Sequence, residues 1–326
     1  MCSDSIPVID VSTLDSKATL AALDAACRDW GFFHAVRHGI SRRVLDDLRA
    51  DAHAFFAQSR AAKRAIERTA ANPWGYFDRE LTKNTRDWKE TYDYGPPDGA
   101  ALAPQWPQGL PTFKRSVLAF YSACEDLAFR LLHALARNLG LPEGGLDAAF
   151  DPAHTSFMRL NHYPACPEPA RPRGVCTPTR GHLGVNHHTD SGVLTLLLQD
   201  EHPGLEVLHD GNAREDARAG EWRLVAPRDD SLVVNIGDIV QVWSNDRYRA
   251  ALHRVLVSAE TDRLSAPFFL NPTYEATYAP LPTMVDAAHP ARYRAIRWGE
   301  FRARRTAGDY ADLGAEVQIA DYRLTE

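Results

Sequence analysis

Leu232-Val233-Val234-Asn235-Ile236, closed by Gly237-Asp238 and followed by residues 239–243, sets the reading of the fold. Short runs rich in β-branched residues and bounded by turn punctuation predict buried strands, and both runs are read that way. Working outward, residues 193–198, 205–208 and 222–225 precede them, and residues 251–257 and 267–270 follow, with the same character. Pro203-Gly204, Asp210-Gly211-Asn212 and Asn245-Asp246 supply the intervening turns. Many short strands at this spacing imply a sandwich, jelly roll or barrel.

Upstream the period is helical. Leu20, Leu23, Cys27 and Trp30 recur at helical spacing, and Gly31 suits a C-cap before a strand at 32–36. Ser41 is placed to cap a second helix whose buried stripe runs through Val44, Leu45, Leu48, Ala52, Phe55 and Phe56. Residues 72–109 read as loop, rich in proline, glycine and aromatics. A third helix is expected from near Pro111 to Gly140, and residues 288–305 look helical again. Residues 164–178 read as a loop or lid. With no internal repeat, the expectation is one catalytic domain, mainly β with flanking helices. It would comprise a helical portion over 1–150, a core over 151–285 and a C-terminal helical segment over 286–326.

Composition narrows the function. The chain has 326 residues, 44% apolar and 25% charged, with 43 acidic against 37 basic side chains and a formal charge of −6. Mild acidity argues against a nucleic-acid partner. No apolar run approaches the roughly 20 residues that cross a bilayer, and residues 1–10 lack a secretory pattern, so a cytoplasmic address is expected. Five scattered cysteines, Cys2, Cys27, Cys124, Cys166 and Cys176, suit neither a disulfide framework nor a thiolate zinc site. Whether the protein is a monomer or dimer is left open.

The chemistry concentrates at His188-Thr189-Asp190. Positions i and i+2 of a strand share a face, so both side chains can reach one ion, and His253 on another strand is the natural third ligand. Two imidazoles and a carboxylate on one face of an octahedron is the arrangement of non-haem Fe(II) oxygenases, with positions left for cosubstrate and O2. A lone His-x-Asp arises often by chance, and a strand histidine is often held by a backbone carbonyl. His182 and His187 are alternative second-layer or substrate-facing groups, and alternation turns His187 away. Arg263-Leu264-Ser265 adds weight: an arginine fork beside a hydroxyl receives a carboxylate, although an arginine at an exposed strand edge has the same signature.

These motifs, in order along nearly the whole chain, make it resemble the isopenicillin N synthase-like branch of the Fe(II)/2-oxoglutarate dioxygenases. The resemblance is carried by Trp30-Gly31-Phe32-Phe33, Val36-Arg37-His38-Gly39-Ile40, Phe55-Phe56 followed by Lys63, and Arg159-Leu160-Asn161-His162-Tyr163-Pro164. It continues through His188-Thr189-Asp190-Ser191-Gly192, Asn235-Ile236-Gly237-Asp238, Leu252-His253-Arg254-Val255 and Arg263-Leu264-Ser265, which runs into Pro267-Phe268-Phe269-Leu270-Asn271-Pro272.

The resemblance implies a distorted double-stranded β-helix, or jelly roll, with iron inside its mouth on His188, Asp190 and His253. Arg263 and Ser265 match the pair that holds the distal carboxylate of 2-oxoglutarate, and Asn161 and Tyr163 match an Asn-x-Tyr element beside it. His162 stands where relatives carry an aromatic residue, a departure expected to bear on the pocket wall. The implied reaction consumes 2-oxoglutarate and O2, releases succinate and CO2, and hydroxylates, desaturates or cyclises a small molecule. Secondary metabolism is the expected setting.

The pocket wall is sought among Trp74, Tyr76, Lys83, Arg86, Arg180, His182, Asn186, Phe268 and Tyr274. Lys83, Arg86 and Arg180 hint at an acidic substrate, though surface solvation explains them equally. Two competing readings are a same-fold oxidase that uses no 2-oxoglutarate, which succinate release would discriminate, and a non-catalytic jelly-roll binder, against which the intact triad and Arg-x-Ser both weigh.

Overall fold

A computed structural model describes residues 5–69, 71–97, 102–171, 180–209, 220–308, 311–312, 314 and 316–324. Cys2, Cys176, the turn at 210–212 and residues 172–178 of the loop at 164–178 lie outside the described residues. The strands are β1 (Val8–Asp10), β2 (Phe32–Val36), β3 (Gly75–Phe77), β4 (Leu81–Thr82), β5 (Thr85–Arg86), β6 (Glu90–Tyr94), β7 (Phe157–Tyr163) and β8 (Val185–His188). They continue with β9 (Leu194–Gln199), β10 (Leu205–His209), β11 (Glu221–Leu224), β12 (Ser231–Ile236), β13 (His253–Val255), β14 (Arg263–Leu270), β15 (Thr277–Tyr278) and β16 (Ile296–Arg297). The helices are α1 (Lys17–Asp29), α2 (Arg42–Phe56), α3 (Arg60–Arg64), α4 (Phe113–Asn138), α5 (Asp238–Trp243) and α6 (Trp298–Ala307).

Eight strands form one sheet in the order β1-β2-β12-β9-β14-β7-β6-β3, and four form a second in the order β11-β10-β13-β8. Phe32, Tyr163 and Val233 of the large sheet pack against Val185, Leu205, Val207 and Val255 of the small one, closing the jelly-roll core. Strand alternation decides what enters that space. Residues 159, 161 and 163 of β7 and 263, 265, 267 and 269 of β14 line its cavity, as do Thr195 and Leu197 of β9. The intervening Met158, Leu160, Leu196, Leu198, Leu264 and Phe268 face outward into the larger core.

That core is completed by α1, α2 and α4, which bring Leu23, Leu48, Phe55, Phe120, Cys124 and Leu131. Phe55 and Phe120 are fully buried, and truncating either to alanine would cost about 3–5 kcal/mol. Ser41 caps α2 as expected, its Oγ accepting from Val44 N at 3.4 Å. Gly31 ends α1 at φ +63°, where a side chain would also strike the Arg249 carbonyl. No helix among the described residues is long and apolar enough to cross a membrane.

Four expectations about secondary structure are corrected. Residues 239–243 form α5, not a strand: a short, wholly buried apolar run carries no period that separates the two. Gly237 there lies against the Gly192 backbone, too close for any side chain. The loop at 72–109 contains β3 to β6, because β6 is held by non-local pairing with β7. The third helix begins at Phe113 behind Thr112, leaving Pro111 just outside. Of residues 288–305 only the stretch from Trp298 is helical; Tyr293 instead bridges to Arg323.

Candidate metal centre

His188 ends β8 and pairs directly across from His253 on β13. Asp190 follows two residues later and brings Oδ1 to 3.7 Å from His188 Nε2 and 3.6 Å from His253 Nε2. The potential donor atoms of the three lie within 4.8 Å of one another. Each imidazole is oriented from behind. His188 Nδ1 lies 2.9 Å from the Asn186 carbonyl and His253 Nδ1 3.1 Å from that of Ala251, contacts that place the proton on Nδ1 and the lone pair on Nε2. Burial, reinforced by His253, lowers the His188 pKa to about 3, so its imidazole is neutral at physiological pH.

Asp190 is fixed by its other oxygen. Oδ2 accepts 2.5 Å and 2.7 Å hydrogen bonds from Thr195 Oγ1 and Asn235 Nδ2. Burial alone would raise its pKa, but His253, His188 and these two donors outweigh it and keep the carboxylate ionised. The loop carrying Asp190 is held by α5: Asp238 N donates to the Asp190 carbonyl at 2.8 Å, and Ile239 N to that of Gly192 at 3.1 Å. Two imidazole nitrogens and one anionic oxygen suit a divalent first-row cation, and three protein ligands leave positions for other ligands.

The same cavity, about 90 Å³, is also lined by Arg263, Ser265, Asn161 and Tyr163. Arg263 is 4% exposed. Its Nη2 donates to Gln199 Oε1 at 2.7 Å and its Nε to the His202 carbonyl at 3.2 Å, both neutral acceptors. Nη1 is buried without a partner among the described residues, a costly state unless an anion arrives. Ser265, one alternation along β14, accepts from Asn161 Nδ2 at 3.3 Å and so keeps its own proton free to donate. Tyr163 lies with its ring centre 5.1 Å from the Arg263 guanidinium.

A second, larger cavity of about 500 Å³ shares His188, Asp190, Lys89, Arg159 and Phe269 with the first. Part of its wall is a buried ion network. Glu80 takes Arg68 at 2.7 Å, Lys89 at 2.7 Å and Arg159 at 2.8 Å, and Asp93 takes Arg68 at 2.5 Å and Arg159 at 2.6 Å. Burial would raise the Glu80 pKa, but Arg159, Lys89 and Arg68 hold it well below the usual carboxylate range.

Comparison with known proteins agrees with this geometry. Residues 154–272 match the model of the 2OG-Fe(II) oxygenase superfamily, and residues 6–109 that of the non-haem dioxygenase in morphine synthesis N-terminal domain. Gibberellin 20 oxidase 3 of Oryza sativa subsp. japonica is 35% identical over 316 residues, 91% of this chain and 80% of the relative. The chain belongs to the 2-oxoglutarate/Fe(II) oxygenase superfamily.

Among other relatives, 1-aminocyclopropane-1-carboxylate oxidase 5 of Arabidopsis thaliana is 31% identical, covering 91% of this chain and 92% of its own. The crystal structure of JOX2 in complex with 2OG, Fe and JA superposes with a TM-score of 0.79 at 30% identity, over 91% of this chain and 84% of that one.

The structure of this oxygenase brings together His188, Asp190, His253, Arg263, Ser265, Tyr163 and Asn161 around one cavity. The residues expected in the substrate wall mostly lie elsewhere. Trp74 and Tyr274 line the larger cavity. Phe268 is wrong by one alternation: it packs on Tyr121 at 5.1 Å in the outer core, and Phe269 faces the site. Tyr76, Arg86 and His182 line a separate cavity, where the Tyr76 hydroxyl donates to Glu90 at 2.6 Å.

Asn186 turns its side-chain carbonyl to its neighbour His187 N at 2.9 Å. Lys83 sits at the β4–β5 turn with its backbone N on Glu316, and Arg180 is exposed. His162 does not border the metal cavity; it stacks on Phe56 at 5.2 Å and bonds Glu90 at 2.8 Å. Thr195, Gln199, Lys89 and Arg302 were missed. The first two carried a usable signal, as polar residues of matching parity in an apolar strand; the other two carried none.

Proposed function

We propose that His188, Asp190 and His253 hold Fe(II), that Arg263 and Ser265 take the distal carboxylate of 2-oxoglutarate with Tyr163 and Asn161 beside it, and that a small molecule is oxidised from the adjoining cavity. The observation that carries this reading is the unpartnered Nη1 of buried Arg263 in the same cavity as the triad. A charged side chain left that way is a receptor for an anion, and a dicarboxylate spanning from Arg263 to a metal satisfies both ends.

Iron and 2-oxoglutarate bound there supply the oxidising chemistry, with O2 consumed and succinate and CO2 released. The chain's own contribution is positional. Thr195 and Asn235 restrict Asp190 to one free oxygen, the carbonyls of Asn186 and Ala251 set both imidazoles, and Phe32, Leu197, Val185, Leu205 and Val255 exclude water. A cytoplasmic address belongs to the same proposal, supported by Cys27, Cys124 and Cys166 being free and buried.

The test is product analysis. Supplied with Fe(II), O2 and 2-oxoglutarate, the protein should form succinate in step with oxidised substrate. Oxidised product without succinate would place it with the oxidases that use no 2-oxoglutarate.

A further inference from the structure

Arg302 on α6 lines the larger cavity, the one that reaches His188 and Asp190. Its guanidinium is set among aromatic rings, 5.2 Å from the centre of Phe157, 5.5 Å from Tyr274 and 5.9 Å from Trp298. Its one hydrogen bond among the described residues runs from Nη1 to the Thr155 carbonyl at 2.8 Å, which leaves Nε and Nη2 uncommitted. Among the described residues no carboxylate pairs with it. Asp93 and Glu80 are already taken by Arg68, Arg159 and Lys89, and Glu316 lies 3.9 Å from Arg305. Burial pulls the Arg302 pKa below its ordinary value, whereas the hydrogen bond to Asp24 raises that of Arg247.

The cavity's charge leads to the same conclusion. Arg68, Lys89, Arg159, Arg302 and Arg305 line it against Glu80, Asp93, Asp190 and Glu316, an excess of one cation (five less four) before any metal binds. A divalent ion on the triad makes that three, and a doubly charged cosubstrate returns it to one. A guanidinium on an aromatic floor that lines a cavity and keeps two nitrogens uncommitted among the described residues suits a planar anion. Phe157 stacks on Phe269 with centroids 4.6 Å apart, and Phe269 lines both this cavity and the one at the triad, a surface for an apolar body.

We propose that the primary substrate is a small organic carboxylate with an apolar or aromatic body, anchored through its carboxylate on Arg302 and presenting a carbon remote from that carboxylate to the metal. This rests on the 2-oxoglutarate-dependent reading and adds the substrate class and a specificity residue to it.

The experiment uses anaerobic protein loaded with Fe(II) and saturated with 2-oxoglutarate, titrated calorimetrically with phenylacetate, 3-phenylpropanoate and cyclohexanecarboxylate and with their primary amides. The acids are expected to bind at least tenfold tighter than the amides. In Arg302→Gln the ratio should fall to within about twofold while 2-oxoglutarate affinity and melting temperature stay unchanged, and Arg302→Lys should restore part of it. Acids no tighter than amides, absence of binding by both included, would overturn the proposal, as would an acid preference that survives Arg302→Gln. Failure of the underlying reading is distinct, because 2-oxoglutarate itself would then not bind the iron-loaded protein.

Discussion

Asn235 Nδ2 donates a 2.7 Å hydrogen bond to Asp190 Oδ2, leaving Oδ1 as the carboxylate oxygen that faces His188 and His253. The two residues lie 45 positions apart, on β12 and in the loop after β8, so the metal face is set by a partner that is not itself a ligand. Asn235→Ala should weaken Fe(II) binding by about 10- to 100-fold, the usual cost of losing an outer support. Metal titration followed by calorimetry measures it, and unchanged affinity would reduce Asn235 to a packing residue.

Asp190 is the one anion among the three candidate ligands. Asp190→Ala should therefore abolish both stoichiometric iron binding and succinate formation, while the fold persists. Wild-type iron affinity in this variant would remove the triad assignment.

Arg263 meets no acidic side chain within hydrogen-bonding distance among the described residues. Charge-assisted hydrogen bonds are worth about 1.5–3 kcal/mol each, so Arg263→Ala should raise the half-saturating 2-oxoglutarate concentration at least tenfold and leave iron affinity nearly unchanged. Equal loss of both affinities would instead mark Arg263 as structural.

Glu80 anchors three cations with almost no exposure. Replacing it with Gln breaks a buried network, for which a loss of about 3–5 kcal/mol is expected at neutral pH, read by urea unfolding. The pH dependence follows from the sign of the shift. Its folded-state pKa is depressed below the ordinary value of 4.5, so its contribution is full above that pH and fades as the pH falls below it. Wild-type stability should therefore drop more steeply than that of Glu80→Gln in acid, and parallel curves would contradict the account.

Local signals were legible in the sequence. The Ser41 cap and the strand at 32–36 were read from neighbouring residues, and the shared face of Arg263 and Ser265 followed from alternation alone. His188 and Asp190 also line one cavity, but β8 ends at His188 and Asp190 reaches it from the loop that follows, not by strand alternation. What escaped depends on partners distant in the chain. The run at 239–243 becomes helix against the Gly192 backbone, and β6 is a strand only because β7 lies beside it. Choosing Phe269 over Phe268 required knowing which face of β14 meets α4. Arg302 stands in an ordinary basic helix in the sequence, and only the fold places it over Phe157.

The most direct measurement is an anaerobic titration of Fe(II)-loaded protein with 2-oxoglutarate. Bidentate chelation of an open iron site by the keto acid should produce a weak, saturable visible band at roughly 500 nm. The account predicts that the band grows to one equivalent in the wild type and needs far more 2-oxoglutarate in Arg263→Ala. Iron binding with no band in the wild type would contradict it.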